Sequence, residues 1–294
     1  MSSGDMLSEN GVVLRARGER RLGPVPRVTL SIVCIVTGCL TLIPLLWTLS
    51  LSIRSGSDVF SNQLLPHSFR PGNFIDAWNQ FGLGLLFWHS AIVTVGTVVI
   101  TTALSVMAAY GFARYRTKVT EAIFIVILTG LMVPPAAVII PFFVAMVKLG
   151  LYNSLVSVVI GESVFAIPFS LLLFRGYIDT IPVALTDAAR TDGASELQAF
   201  RYVALPLLKP ALATVALFTT ISTWNGFLLP LVLLNNASTS TLTVGLTAVQ
   251  SQYGALNLQL LSAAVVLAII PILVVFVAAR RYYVQGLSAG AVKQ

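Results

Sequence analysis

The sequence predicts an all-α protein that crosses a membrane six times with both ends on the cytoplasmic side. The first observation is composition: 56% of the 294 residues are hydrophobic and 10% are charged, with a mean hydropathy of +0.89. Soluble proteins carry about 25% charged residues. The second is that six apolar runs reach the length of about 20 residues that a helical span requires. They are Val28 to Ile53, Leu85 to Phe112, Glu121 to Val147, Ser154 to Phe174, Lys209 to Leu234 and Leu256 to Ala279. The third is charge placement. With a cytoplasmic N-terminus, fifteen of the 18 basic residues fall on the inner side, leaving Arg54, Arg70 and Lys148 outside. That asymmetry accounts for the net charge of +7 without a nucleic-acid partner.

Residues 1–27 form a polar, arginine-bearing cytoplasmic tail, expected to be disordered up to the Gly23-Pro24-Val25-Pro26 break. The first apolar run is too long for a signal-peptide core and no small-residue cleavage site follows it, so it reads as a retained span. Cys34 and Cys39 lie five positions apart within it, turned about 140° from each other on a helix, which argues against an internal bridge and for buried inert thiols. The outer segment Arg54 to Gly84 mixes Asp58, Pro66, Pro71 and Trp78, and is expected to be ordered against the membrane surface or a partner. Asn235 to Gly254 is a second outer loop. Residues 28–280 thus form one six-helix domain, and 281–294 a cytoplasmic C-terminal tail. Prolines recur inside the spans, at Pro44, Pro134, Pro135, Pro141, Pro168, Pro230 and Pro271. They bend helices, which fits a bundle that moves and equally one that is statically bent.

The longest polar interruption, residues 177–208, reads as two short helices meeting at a glycine. Thr180 can cap the first, with Pro182 near its first turn. Leu185, Ala188, Ala189 and Asp192 share one narrow face of it. Gly193 follows as a C′ residue free to take positive φ. Ser195 and Gln198 form a capping box for the second helix, which Leu205-Pro206 closes. Such a knob suits mechanical coupling; an ordinary amphipathic linker is the plainer alternative.

Catalytic and nucleotide-binding patterns are missing. No lysine follows a glycine, so no phosphate-binding loop can exist in this chain, and no G-x-S-x-G or H-E-x-x-H pattern occurs. The one ionisable residue well inside a span is Glu162, either bonded to a neighbouring helix or facing a water-filled path and a polar ligand. Span five carries Thr219, Thr220, Ser222, Thr223, Trp224 and Asn225. Hydroxyls beside an aromatic ring at this depth suit a sugar, and suit helix–helix packing equally well.

Asp187-Ala188-Ala189, Asp192-Gly193-Ala194 and Leu205-Pro206 resemble, in kind and spacing, the cytoplasmic EAA loop of bacterial ABC importer permeases, with Asp187 where that family usually has Glu. Met132-Val133-Pro134-Pro135, Ile140-Pro141-Phe142-Phe143, Tyr110-Gly111-Phe112-Ala113-Arg114, Trp224-Asn225 and the ending from Arg281 to Lys293 are similar to carbohydrate ABC permeases, specifically the second, six-span permease of maltose-type importers. Gly226 departs from the acidic residue usual after Trp-Asn, and His89 from the Asn usual before Ser90.

The resemblance implies a non-catalytic, multi-pass subunit of the bacterial inner membrane that works by alternating access. Its partners would be a second homologous permease, two cytoplasmic ATPase subunits that bind ATP and Mg²⁺, and an extracytoplasmic binding protein delivering a sugar. The chain itself would hold no cofactor and no metal. Asp187, Ala188, Ala189, Asp192, Gly193 and Ala194 would contact the ATPase, and the tail from Gly286 to Gln294 would also reach it. Glu162, Thr220, Thr223, Trp224 and Asn225 are the candidate path residues. The rivals are an ion-coupled secondary carrier, a membrane enzyme or scaffold, and an ABC permease for a non-sugar solute such as a glycerol-phosphate compound.

Overall fold

The computed structural model describes residues 24–58, 65–66, 68–253 and 257–291, and they contain helices and their connections with no strand. The expected disordered tail lies, up to residue 23, outside the described residues. The chain divides into two units, Met1–Trp47 and Thr48–Gln294.

Most of helix α1, Pro24–Ser52, belongs to the first unit. A lone helix has no interior, and residues 28–46 are all exposed. Cys34 and Cys39 are therefore free, exposed thiols and not the buried ones expected, because among the described residues of this unit no second element covers them.

The second unit runs through α2 (Asn73–Gln80), α3 (Leu83–Arg114), α4 (Lys118–Thr129), α5 (Pro135–Lys148), α6 (Leu155–Ile178), α7 (Val183–Thr191) and α8 (Glu196–Ala199). It continues with α9 (Leu205–Leu207), α10 (Lys209–Trp224), α11 (Leu228–Leu233), α12 (Leu242–Tyr253) and α13 (Leu258–Ala291). Among the described residues, four helices are long and apolar enough to cross a membrane, and six spans result if each of two bent pairs counts as one. The expected third span is one such pair: α4 and α5 meet at 106°. A 3₁₀ turn at Gly130–Met132 ends α4, and Pro134 is extended (φ −67°, ψ 131°), as a residue preceding Pro135 must be. The expected fifth span is also interrupted. α10 stops at Trp224, Asn225–Phe227 is not helical, and α11 resumes at Leu228. At the other end, α13 carries helix on through residues 281–291, which hydropathy alone assigns to a tail.

The central pairing is α3 on α6, the most extensive in the molecule. Its seam is small and hydroxylated: Ser90, Thr94, Thr97, Thr101 and Ser105 are buried along α3, and Ser157, Ser163 and Ser170 along α6. A Cβ added at Gly96 would lie 3.2 Å from the Val159 side chain, so the seam is closed to its limit. Without water to drive apolar collapse, such small residues let helix backbones approach.

The described part of the segment after α1 is ordered by contacts with the chain itself. Arg54 is fully buried and its Nε and Nη2 donate to Ser50 Oγ at 3.2 and 3.0 Å. Asn73 Nδ2 donates to the Ser52 and Arg54 carbonyls at 2.9 and 2.7 Å. Beyond them Ala77 of α2 joins Leu83, Leu86, Trp224, Leu260, Ala263 and Ala264 in one buried cluster. At the opposite end of α3, Val106 and Ala109 pack with Leu171, Phe174, Leu208, Ala211 and Val215, and this cluster carries the 177–208 elbow.

Candidate functional site

The elbow begins where α6 ends. Pro182 (φ −57°, ψ 124°) is itself the N-cap of α7 and no side chain caps the helix. Thr180, expected to cap, instead donates its hydroxyl to the Tyr177 carbonyl at 2.7 Å, because the cap lies two residues further on. α7 ends in a Schellman turn: the Gly193 N–H donates to Arg190 O and the Ala194 N–H to Ala189 O, each at 3.0 Å. Gly193 has φ +89°, which only a residue without Cβ takes freely. The capping box then forms as expected, with Ser195 N–H on Gln198 Oε1 at 2.7 Å and Gln198 N–H on Ser195 Oγ at 3.3 Å.

Leu205-Pro206 does not close the second limb. A π turn over Phe200–Ala204 widens the helix just before the proline, so that α9 continues to Leu207. Widening the turn accommodates the missing Pro206 N–H and its ring. The chain then bends by 75° at Leu208 into α10.

Of the expected contact residues, Asp187, Ala188, Asp192 and Gly193 are exposed and Ala189 and Ala194 half-buried. Ala189, Asp192, Gly193 and Ala194 line a groove of about 410 Å³ with Gln198 and Tyr202. Leu197 and Tyr202 project from the second limb, 67% and 69% exposed. These large apolar side chains were not singled out in the sequence, where a helical face without a known partner carries no mark.

Charges tie the elbow to the bundle. Arg114, the last residue of α3, places Nη2 3.0 Å from Asp187 Oδ1 and Nε 3.5 Å from Glu196 Oε1. Arg190 places Nε 2.9 Å from Glu196 Oε1 and Nη1 3.7 Å from Asp187 Oδ1. Nearby, Arg116 pairs with Asp179, and Arg175 pairs with Glu121 while its guanidinium lies 4.1 Å over the Phe124 ring.

The candidate path residues separate into two groups. Thr223 and Trp224 are buried; Trp224 Nε1 donates to the Ala268 carbonyl of α13 at 3.1 Å and its ring meets Phe87 edge-on at 5.9 Å. Thr220 lines a mostly apolar cavity of about 250 Å³ with residues of α3 and α13. These three thus face neighbouring helices. Asn225 is exposed at the break after α10, and Glu162 of α6 lies beside it: a Cβ at Gly226 would sit 2.7 Å from Glu162 Oε1. Among the described residues Glu162 makes no ion pair or hydrogen bond. The same Cβ at Gly226 would lie 2.9 Å from the Thr223 carbonyl oxygen, so a side chain at residue 226 would have to displace either the Glu162 carboxyl or the backbone.

This architecture can now be set beside known proteins. Residues 101–289 match the family model described as binding-protein-dependent transport system inner membrane component. The chain belongs to this family of ABC importer permeases. The permease is 33% identical over 255 residues to the probable ABC transporter permease protein YurM of Bacillus subtilis (strain 168), covering 85% of this chain and 83% of that one. It is 31% identical over 265 residues to the melibiose/raffinose/stachyose import permease protein MelC of the same organism, covering 90% and 96% respectively. Its fold matches a chain from the crystal structure of a bacterial ABC transporter involved in the import of the acidic polysaccharide alginate. That match has a TM-score of 0.79 at 27% identity and covers 90% of the permease and all of the other chain. The fold is accordingly that of a type I importer permease, a multi-pass inner-membrane component in a family of non-catalytic subunits.

Proposed function

We propose that this permease forms half of the translocation path of an ATP-driven sugar importer and is moved by the 177–208 elbow. The observation that carries this reading is the elbow itself: a rigid turn, capped at both limbs, presenting a groove and two large exposed apolar side chains away from the bundle. Exposed apolar surface of that kind marks a protein contact. The contact is one of two ATPase subunits at the cytoplasmic face, which bind ATP and Mg²⁺; a second permease completes the path and an extracytoplasmic binding protein delivers the solute. In this reading both termini lie on the cytoplasmic side, the side that the distribution of basic residues favours. Alternating access then follows from rigid-body movement of spans, with the energy supplied by nucleotide binding elsewhere.

The solute is a neutral sugar. MelC is named for the import of melibiose, raffinose and stachyose, and the alginate importer for an acidic polysaccharide. Glu162 lies beside the α10 break with no hydrogen bond or ion pair among the described residues, so its oxygens are free to accept hydrogen bonds from sugar hydroxyls, and glycerol-phosphate compounds are the second reading. The test uses two surface positions that the fold does not need. Leu197→Glu with Tyr202→Glu leaves the permease inserted but stops the ATPase subunits from co-purifying and abolishes uptake. Wild-type co-purification and uptake in that variant would overturn the proposal.

A further inference from the structure

We propose that Arg114 is the residue through which movement of the elbow enters the membrane bundle, by way of α3. The inference rests on the elbow being the docking element and adds the route by which its displacement travels.

In sequence, the elbow joins α6 to α10, so a push on it would be expected to act on those two helices. The side chains connect it differently. Arg114 lies on α3, more than seventy positions before the elbow's second limb, yet its guanidinium touches a carboxylate on each limb, Asp187 before the Gly193 turn and Glu196 after it. Arg190 joins the same two carboxylates from within the elbow. Two cations and two anions alternate, so the group is neutral and each charge has two opposite neighbours. Arg114 is the member with the least exposed side chain, 18%, and the one supplied from outside the elbow.

Singly, half-exposed pairs of this kind stabilise a fold very little. Their geometry matters more, because a planar guanidinium holding two carboxylates at once fixes their mutual position. A second contact runs parallel to it. One turn back on α3, Tyr110 packs its ring 5.0 Å from that of Phe200, in the π turn of the second limb. α3 therefore grips both limbs by charge and one by an aromatic contact. α3 is also the helix most extensively packed on α6, through a seam with no slack at Gly96. A displacement handed to α3 is passed to α6, and with it to Glu162. Arg114 is a positioning residue; it touches neither solute nor nucleotide.

The experiment compares Arg114→Met, which keeps the aliphatic stem, and Arg114→Lys, which keeps the charge, in the full importer reconstituted in liposomes with its ATPase and binding protein. Solute uptake and ATP hydrolysis are measured on the same preparation. The expected result for Arg114→Met is uptake lowered about ten-fold, the size of a broken network contact of moderate strength, with hydrolysis and subunit co-purification retained. Arg114→Lys is expected to recover part of the lost uptake. The ratio of ATP hydrolysed to solute moved is the readout that a merely structural residue would not shift. An unchanged ratio in Arg114→Met, whether both activities stay at wild type or fall together, overturns the proposal. Should Arg114→Met fail to insert, Glu196→Gln, on the other side of the same contact, is held to the same ratio. Gly193→Pro in the same complex separates the two levels: if it blocks uptake while Arg114→Met does not, the docking reading stands and the α3 route fails.

Discussion

Substituting Gly193 isolates the backbone conformation of the elbow from every other property of the site. An added Cβ would meet no atom within 4 Å, so crowding contributes nothing. What changes is the strain of holding φ at +89°. For alanine, a left-handed conformation costs about 1–2 kcal/mol. Asparagine tolerates this region better, since its short polar side chain bonds locally. Proline cannot adopt the angle at all, and it also removes the Gly193 N–H that donates to Arg190 O, worth about 1 kcal/mol in its own right. The elbow should therefore fail in the order Asn, Ala, Pro. One to two kcal/mol shifts the ratio of formed to unformed elbow by roughly 5- to 30-fold. Alanine should thus couple partially and proline not at all. The assay is initial solute uptake in proteoliposomes containing the full importer, with thermal unfolding of the permease as a check on insertion and folding. Proline at the wild-type uptake rate, or asparagine below alanine, would refute the reasoning.

Further outcomes follow from the α10 break and from Trp224. Glu162→Gln keeps the shape and replaces a carboxyl oxygen by an amide nitrogen; uptake of a neutral sugar should fall through a higher KM, as measured by initial uptake rates over a range of sugar concentrations. Gly226→Ala forces a methyl to 2.7 Å from Glu162 Oε1 and 2.9 Å from the Thr223 carbonyl, and overpacking of that kind costs about 1–3 kcal/mol, so thermal stability and uptake should both drop. Trp224→Phe removes the bond to the Ala268 carbonyl and should lower stability by about 1 kcal/mol while leaving the KM for solute unchanged, because the ring lies in the core.

What the sequence disclosed of this fold was what is encoded locally. Ser195 and Gln198 stand three residues apart and satisfy each other's backbone, and Gly193 follows the last turn of α7, so both were readable from spacing alone. Pro206 misled because its clash was relieved by a π turn five residues long, a choice made by the packing of Phe200 and Leu205 on the bundle. Trp224 was ambiguous for a different reason. The hydroxyls and amide of span five at 219–225 are spread around the helix, so their pattern gives no sign of which side meets α13 and which the path. Glu162 with Gly226, and Arg114 with Asp187 and Glu196, are meetings of residues more than sixty positions apart, and a single chain records no such proximity in its order.

The central claim is that the permease does no chemistry and moves only when a motor on its elbow does. The direct measurement is solute entry into liposomes holding this chain, a second permease and the binding protein, with and without the ATPase subunits and ATP. We expect entry only when both ATPase and ATP are supplied. Concentrative uptake by the two permeases alone would contradict it.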